Sequence, residues 1–307
     1  MTAATPTILD GIGGTRLLPL RRIRPATGAR ILLKLESENP TGSMKDRMAL
    51  AMIEAAEADG RLLPGGSVVE YTGGSTGVSL ALVCAVKGYP LHIVTSDAFA
   101  AEKLEHMRRL GADLQVLHSD SGRMTEKLTR DMIAAAAVIA ERTGGFWTDQ
   151  MKNRDQLRAY HKMADEIWAQ TEGRIDAFVQ SVGTAASLRG NAEGLRRYNP
   201  AIRIIAVEPA ESPVLSGGAT GAHKIDGIGA GYVVPLWQGD IAESIERVST
   251  DEAKDMAERL GREEGIFAGT STGANVVAAL RVARTMTPDA TLVTVMCDTG
   301  MKYLSRR

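Results

Sequence analysis

Short apolar runs alternating with helix-like segments constrain the fold of this chain more than any single residue does. Residues 31–36 form one such run, and 68–71 precede a helix from about Ser75 to Lys87. Residues 91–95 precede another helix from about Ala100 to Leu110, and 114–117 lead into an alanine-rich helix from Met124 to Arg142. Further runs follow at 177–180, 203–207 and 291–296. Strands buried on both faces read as continuous apolar stretches, and helices between them supply the crossovers of parallel sheets. An α/β protein with parallel sheets in three layers is expected. A length of 307 residues suits two domains of ordinary size or one large one. The polar stretch 143–154 is the best candidate boundary, and no repeat or low-complexity tract interrupts the pattern.

Composition removes several function classes. A net charge of −1 gives no electrostatic basis for binding nucleic acid or an anionic membrane. The two cysteines, Cys84 and Cys297, lie in apolar runs without metal-site spacing and read as buried thiols in a reducing cytosol. The stretch Met1-Thr2-Ala3-Ala4-Thr5-Pro6 lacks the basic-then-apolar order of a signal peptide, and no run is long enough to span a bilayer. A soluble, cytoplasmic protein without a metal site is expected.

The most informative chemistry lies in Asn39-Pro40-Thr41-Gly42-Ser43-Met44-Lys45-Asp46-Arg47. Turn residues follow the first apolar run, and Lys45 opens a segment whose apolar positions Met48, Ala49, Met52, Ile53 and Ala56 keep helical spacing. The positive end of a helix dipole disfavours an ammonium there. A lysine so placed loses its proton more readily and, as a neutral amine, can attack an aldehyde cofactor. An isolated Ser-x-Lys is most often an ordinary surface lysine, but this one has company in chain order. Thr72-Gly73-Gly74-Ser75-Thr76-Gly77 and Gln150 follow, then Gly183-Thr184-Ala185-Ala186-Ser187 and Asp226-Gly227-Ile228-Gly229-Ala230-Gly231. Gly269-Thr270-Ser271-Thr272-Gly273-Ala274-Asn275 and Cys297-Asp298-Thr299-Gly300 complete the series.

Taken together, these motifs resemble the cysteine synthase and cystathionine β-synthase family of pyridoxal-phosphate enzymes, fold type II, along nearly the whole chain. The resemblance implies a smaller domain at 39–148 with the substrate-carboxylate loop. It also implies a larger, phosphate-binding domain from 1–38 and 149–307. It implies pyridoxal 5'-phosphate on Lys45, with Gly183, Thr184, Ala185, Ala186 and Ser187 around the phosphate, Ser75 beside the ring oxygen and Thr299 facing the ring nitrogen. Thr72, Gly73, Gly74, Thr76, Gln150 and Gly227 are the implied substrate contacts. A cytoplasmic homodimer acting on a small amino acid and a small nucleophile is the implied assembly. No C-terminal regulatory module or N-terminal haem-binding extension is expected.

Three departures from the family pattern bear on specificity. Gly73 replaces the usual serine and Ser75 the usual asparagine, which removes one hydroxyl and one amide from the loop. Alanines at 185 and 186 keep their N–H donors but tolerate positive φ poorly. Lys152-Asn153-Arg154-Asp155 stands where the family reads Asn-Pro-Ala-Asn, as a solvated surface or as cations facing a charged substrate group. The expected activity is β-replacement on an activated serine, with Lys45 as cofactor anchor and general base. A poor standard cysteine synthase is expected, one that Gly73→Ser with Ser75→Asn would improve. Cystathionine or diaminopropionate formation and serine/threonine deamination are the alternatives within the fold. A non-catalytic nucleotide-binding protein is the alternative outside it, and no Gly-x-Gly-x-x-Gly after the first strand supports that one.

Overall fold

The computed structural model describes residues 5–120, 122 and 125–304. Met1 to Ala4 of the leader expectation, and Met124 as a helix start, lie outside the described residues. In chain order come β1 (Leu17–Pro19), β2 (Arg30–Leu35), α1 (Lys45–Asp59), β3 (Val68–Tyr71) and α2 (Ser75–Lys87). Then follow β4 (Leu91–Ser96), α3 (Ala101–Arg109), β5 (Asp113–Leu117), α4 (Glu126–Thr143) and β6 (Phe146–Trp147). The rest are α5 (Gln156–Gln170), β7 (Ala177–Ser181), α6 (Ala186–Tyr198), β8 (Arg203–Pro209), β9 (Ser244–Val248), α7 (Thr250–Arg259), α8 (Thr270–Ala283) and β10 (Thr291–Met296).

The chain divides into two compact units. The first is Met1–Ile12, Asn39–Gln156 and Lys302–Arg307. Its sheet is four-stranded and parallel, in the order β5-β4-β3-β6. All four residues of β3 are buried, and Val69 and Tyr71 pack with Val94, Met132, Ala136 and Ile139 under α4. Thr125 caps α4 by accepting a hydrogen bond from the Leu128 amide, and left-handed Gly144 ends it.

The second unit is Gly13–Glu38 and Leu157–Met301, with the sheet order β1-β2-β10-β7-β8-β9. Only β1 runs antiparallel, along β2. β10 is buried at every position, as an apolar central strand should be. Its Leu292 joins a core that includes Leu33, Val179, Ile205 and Ala278. Gly273 lets α8 meet α7, because a Cβ there would lie 1.9 Å from the Ala253 carbonyl oxygen. Cys84 and Cys297 are both free and buried. Among the described residues no helix is long and apolar enough to cross a membrane, and no His, Cys, Asp and Glu group could hold a metal ion.

Candidate active site

In the first unit, Lys45 is the first residue of α1. Residues 41–44 and 46–49 are buried, while Lys45 itself is half-buried. No side chain caps α1 at Met44, but the Ser43 hydroxyl accepts from the Lys45 amide at 3.2 Å. Asp46 fixes this turn. Its carboxylate accepts the Thr41 amide at 2.7 Å and the Thr41 and Ser79 hydroxyls, which ties the turn to α2. Burial pushes the Asp46 carboxyl above its ordinary value, while these hydrogen bonds and the charge of Lys302 pull it back. The lysine is therefore held at a helix mouth whose frame has little freedom.

The loop 72–76 leaves β3 and opens α2, which has no side-chain cap at Gly74. Uncapped amides and the positive dipole end make such a start receptive to a carboxylate. Thr72 Oγ1 accepts the Gly74 amide at 3.2 Å, and Thr76 Oγ1 donates to Gln150 Oε1 at 2.7 Å. Gln150, expected only from its register, is thus brought to the loop. Its amide donates to Glu70 Oε2 at 3.0 Å, and its carbonyl accepts from Gln156 Nε2 at 2.7 Å. Lys152 is exposed and pairs with Asp149 at 3.2 Å, and Arg154 is exposed, so both take the surface alternative.

Three residues of this unit went unread in the sequence. Glu70 is fully buried beneath the loop and also accepts the Thr148 hydroxyl at 2.6 Å and the Tyr71 amide at 2.9 Å. Buried Lys302 places Nζ 3.3 Å from Ser75 Oγ, so a cation stands where the loop lacks the family's amide. Phe99 occupies the space of a side chain at 73, since a Cβ on Gly73 would lie 1.9 Å from its ring. The expectation that Gly73→Ser simply restores a hydroxyl is thereby corrected. An acid inside an apolar strand was the only sequence signal among the three.

Glu70 makes stability depend on pH. Burial pushes its carboxyl up to about 7 from 4.5, against the pull of its three hydrogen bonds. Between those values the folded chain keeps a proton that the unfolded chain has released, so stability falls as pH rises and levels off above about 7. A shift of this size corresponds to about 3 kcal/mol. Glu70→Gln, neutral throughout, should flatten the decline in Tm across that window, while an unchanged slope would place the titration elsewhere.

In the second unit, β7 ends at Ser181 and α6 begins at Ala186. The loop between them fits a phosphate. A Cβ on Gly183 would lie 2.4 Å from the Gly227 carbonyl oxygen, so the backbone there is bare. Ala185 caps α6 with φ of 69°, a conformation costing an L-residue roughly 1 kcal/mol, and one that its family-pattern glycine would adopt freely. The Ser181 hydroxyl is buried without a hydrogen-bond partner. Thr184 is buried, and its Oγ1 accepts the Ala186 amide at 3.4 Å. The Ser187 hydroxyl is engaged with Gln180, 2.7 Å from its Nε2, which leaves Ser187 its backbone amide as the group to offer a phosphate.

The remaining motifs brace this loop. Asn275 accepts the Ser181 amide at 2.7 Å and donates to the Val295 carbonyl at 2.8 Å, joining the ends of β7 and β10. Thr270 Oγ1 accepts the Asp226 amide at 3.1 Å, and the Gly229 amide donates to the Val182 carbonyl at 3.0 Å. Gly227 is exposed with φ of 80°. Thr299 lies three residues beyond β10, bridged to Ala268, and is half-buried. These segments gather at the carboxyl ends of parallel strands, where open α/β sheets bind ligands.

The sequence model of the pyridoxal-phosphate dependent enzymes matches residues 8–298. The chain belongs to this family. A cysteine synthase of Staphylococcus aureus is 40% identical over 296 residues, which is 96% of this chain and 94% of that one. Among solved structures, a cysteine synthase of Entamoeba histolytica superposes with a TM-score of 0.92 at 34% identity, covering 100% of this chain and 93% of its own. An O-acetylserine-dependent cystathionine β-synthase of Helicobacter pylori gives 0.91 at 30%, covering 100% and 99%. The protein is a pyridoxal-phosphate enzyme of fold type II, similar to cysteine synthases.

Proposed function

We propose that this chain catalyses β-replacement on an activated serine of the O-acetylserine kind, with sulfide as nucleophile. The observation that carries the reading is Lys45, half-buried at the head of α1 between buried neighbours, in a chain aligned with a cysteine synthase over 96% of its length. When bound, pyridoxal phosphate supplies an aldehyde for attachment and a conjugated ring that takes up electrons from bonds broken at the α-carbon. Lys45 would hold it, and its amine would take the substrate's α-proton as general base.

The other residues orient. Amides at the start of α2, with Gln150 and Thr76, take the substrate carboxylate. Gly183 to Ser187 offer amides to the phosphate, and Thr299 offers a hydroxyl rather than a carboxylate to the ring nitrogen. We read the protein as a cytosolic homodimer. Two free, buried cysteines suit a reducing compartment. Light scattering on purified protein tests the dimer.

The similarity to an O-acetylserine-dependent cystathionine β-synthase favours one second reading, in which a thiol larger than sulfide adds. Steady-state assays of O-acetylserine, O-phosphoserine and serine against sulfide and homocysteine separate the two. Highest kcat/KM for O-acetylserine with sulfide is expected. Preference for homocysteine would establish the second reading, and turnover of none would refute both.

A further inference from the structure

Gly73 is not required by its own backbone, because its φ lies outside the left-handed region. It is required by Phe99. A Cβ at 73 would meet Cγ and Cδ2 of that ring at 1.9 Å and Cδ1 at 2.5 Å. The ring is not loosely placed. It packs against the cluster of Val69, Tyr71, Val94, Met132, Ala136 and Ile139. Its backbone sits in a turn at the end of β4, where the Phe99 amide donates to the Ser96 carbonyl at 3.2 Å. Asp97 anchors the same turn by accepting the Ser119 amide at 2.8 Å and the Ser119 hydroxyl at 2.5 Å. A side chain at 73 must therefore push the ring out of apolar packing.

We infer that Phe99 is a specificity-determining residue, which keeps position 73 without a side chain and so sets how the loop at α2 holds a substrate carboxylate. The inference rests on the assignment of that loop to the carboxylate in the proposed function. Two consequences follow from the geometry. An anion at this end of α2 is gripped by backbone amides and Gln150, with an aromatic ring where a hydroxyl from residue 73 would stand. Ring and hydroxyl also exclude each other, so substitutions at 73 and 99 cannot act independently.

The test is a double-mutant cycle on the holoenzyme with Gly73→Ser and Phe99→Ala, alanine removing the Cγ and both Cδ atoms that a Cβ at 73 would meet. Both Tm and the KM for O-acetylserine are measured. Gly73→Ser alone should lower Tm and raise KM. The double variant should recover Tm toward that of Phe99→Ala and take KM below either single variant. The regained hydrogen bond to a charged group should lower KM about tenfold or more relative to Phe99→Ala. The gain should fall on KM rather than kcat, which a merely structural rescue would not produce. The inference is overturned if the two substitutions add in Tm, or if the double variant recovers Tm with no fall in KM. Failure of the proposed function looks different, because then no activated serine perturbs the visible spectrum of the unmodified holoenzyme.

Discussion

Lys45→Ala should leave a folded protein that has lost its visible absorbance from the bound cofactor and nearly all turnover. The lysine is asked to perform two roles, covalent anchor and general base, and the second alone is worth about 10²–10⁴-fold. A fall in kcat/KM of at least about 10⁴-fold is expected when both are removed. The fold should tolerate the change. Lys45 is half-buried at the first position of α1, alanine is the best helix former, and the turn is fixed by Asp46 rather than by the lysine. Circular dichroism and thermal melting separate loss of chemistry from loss of structure. Turnover within tenfold of the unmodified enzyme would remove Lys45 from the mechanism.

Thr184→Glu should release the cofactor. The residue is buried beside a helix start whose amides we assign to the phosphate. A carboxylate about 4 Å from a phosphate charge costs on the order of 4 kcal/mol at an effective dielectric constant near 20. That corresponds to a cofactor Kd weaker by roughly 10³-fold. Thr184→Val is the control, since it replaces the hydroxyl that accepts the Ala186 amide at 3.4 Å and keeps the shape of the side chain. Its Kd should stay within about tenfold, because the backbone donors remain. Equal Kd values for the glutamate variant and the unmodified protein, measured by fluorescence titration, would remove this loop from phosphate binding.

The central strands were legible because burial on both faces writes them as apolar runs. β3 and β10 fall at the residues the sequence marked, and α1 and α2 open at Lys45 and Ser75. Among the edge strands β5 was legible, whereas β1, β6 and β9 were not. β9 reads Ser-Ile-Glu-Arg-Val, which mixes polar and apolar residues as an edge strand can, while β1 and β6 have three and two residues. The site divides in the same way. Lys45, Gly183 and the turn at 72–76 carry local signatures of a helix start or a tight turn. Phe99 and Lys302 carry none, and Glu70 shows only as an acid inside an apolar strand, since each matters through what the fold sets beside it. Ala185 was legible as a difficulty, and its φ of 69° shows the chain adopting the glycine-like conformation with an alanine. Thr299 lies three residues past β10, which ends at Met296 where the apolar run ends.

The most direct measurement of the central claim is reduction of the yellow holoenzyme with borohydride, followed by proteolysis and mass spectrometry of the modified peptide. A single pyridoxyl adduct on Lys45, in the peptide that contains Met44 and Asp46, is the predicted result. An adduct on any other lysine, Lys302 included, with Lys45 unmodified would contradict it.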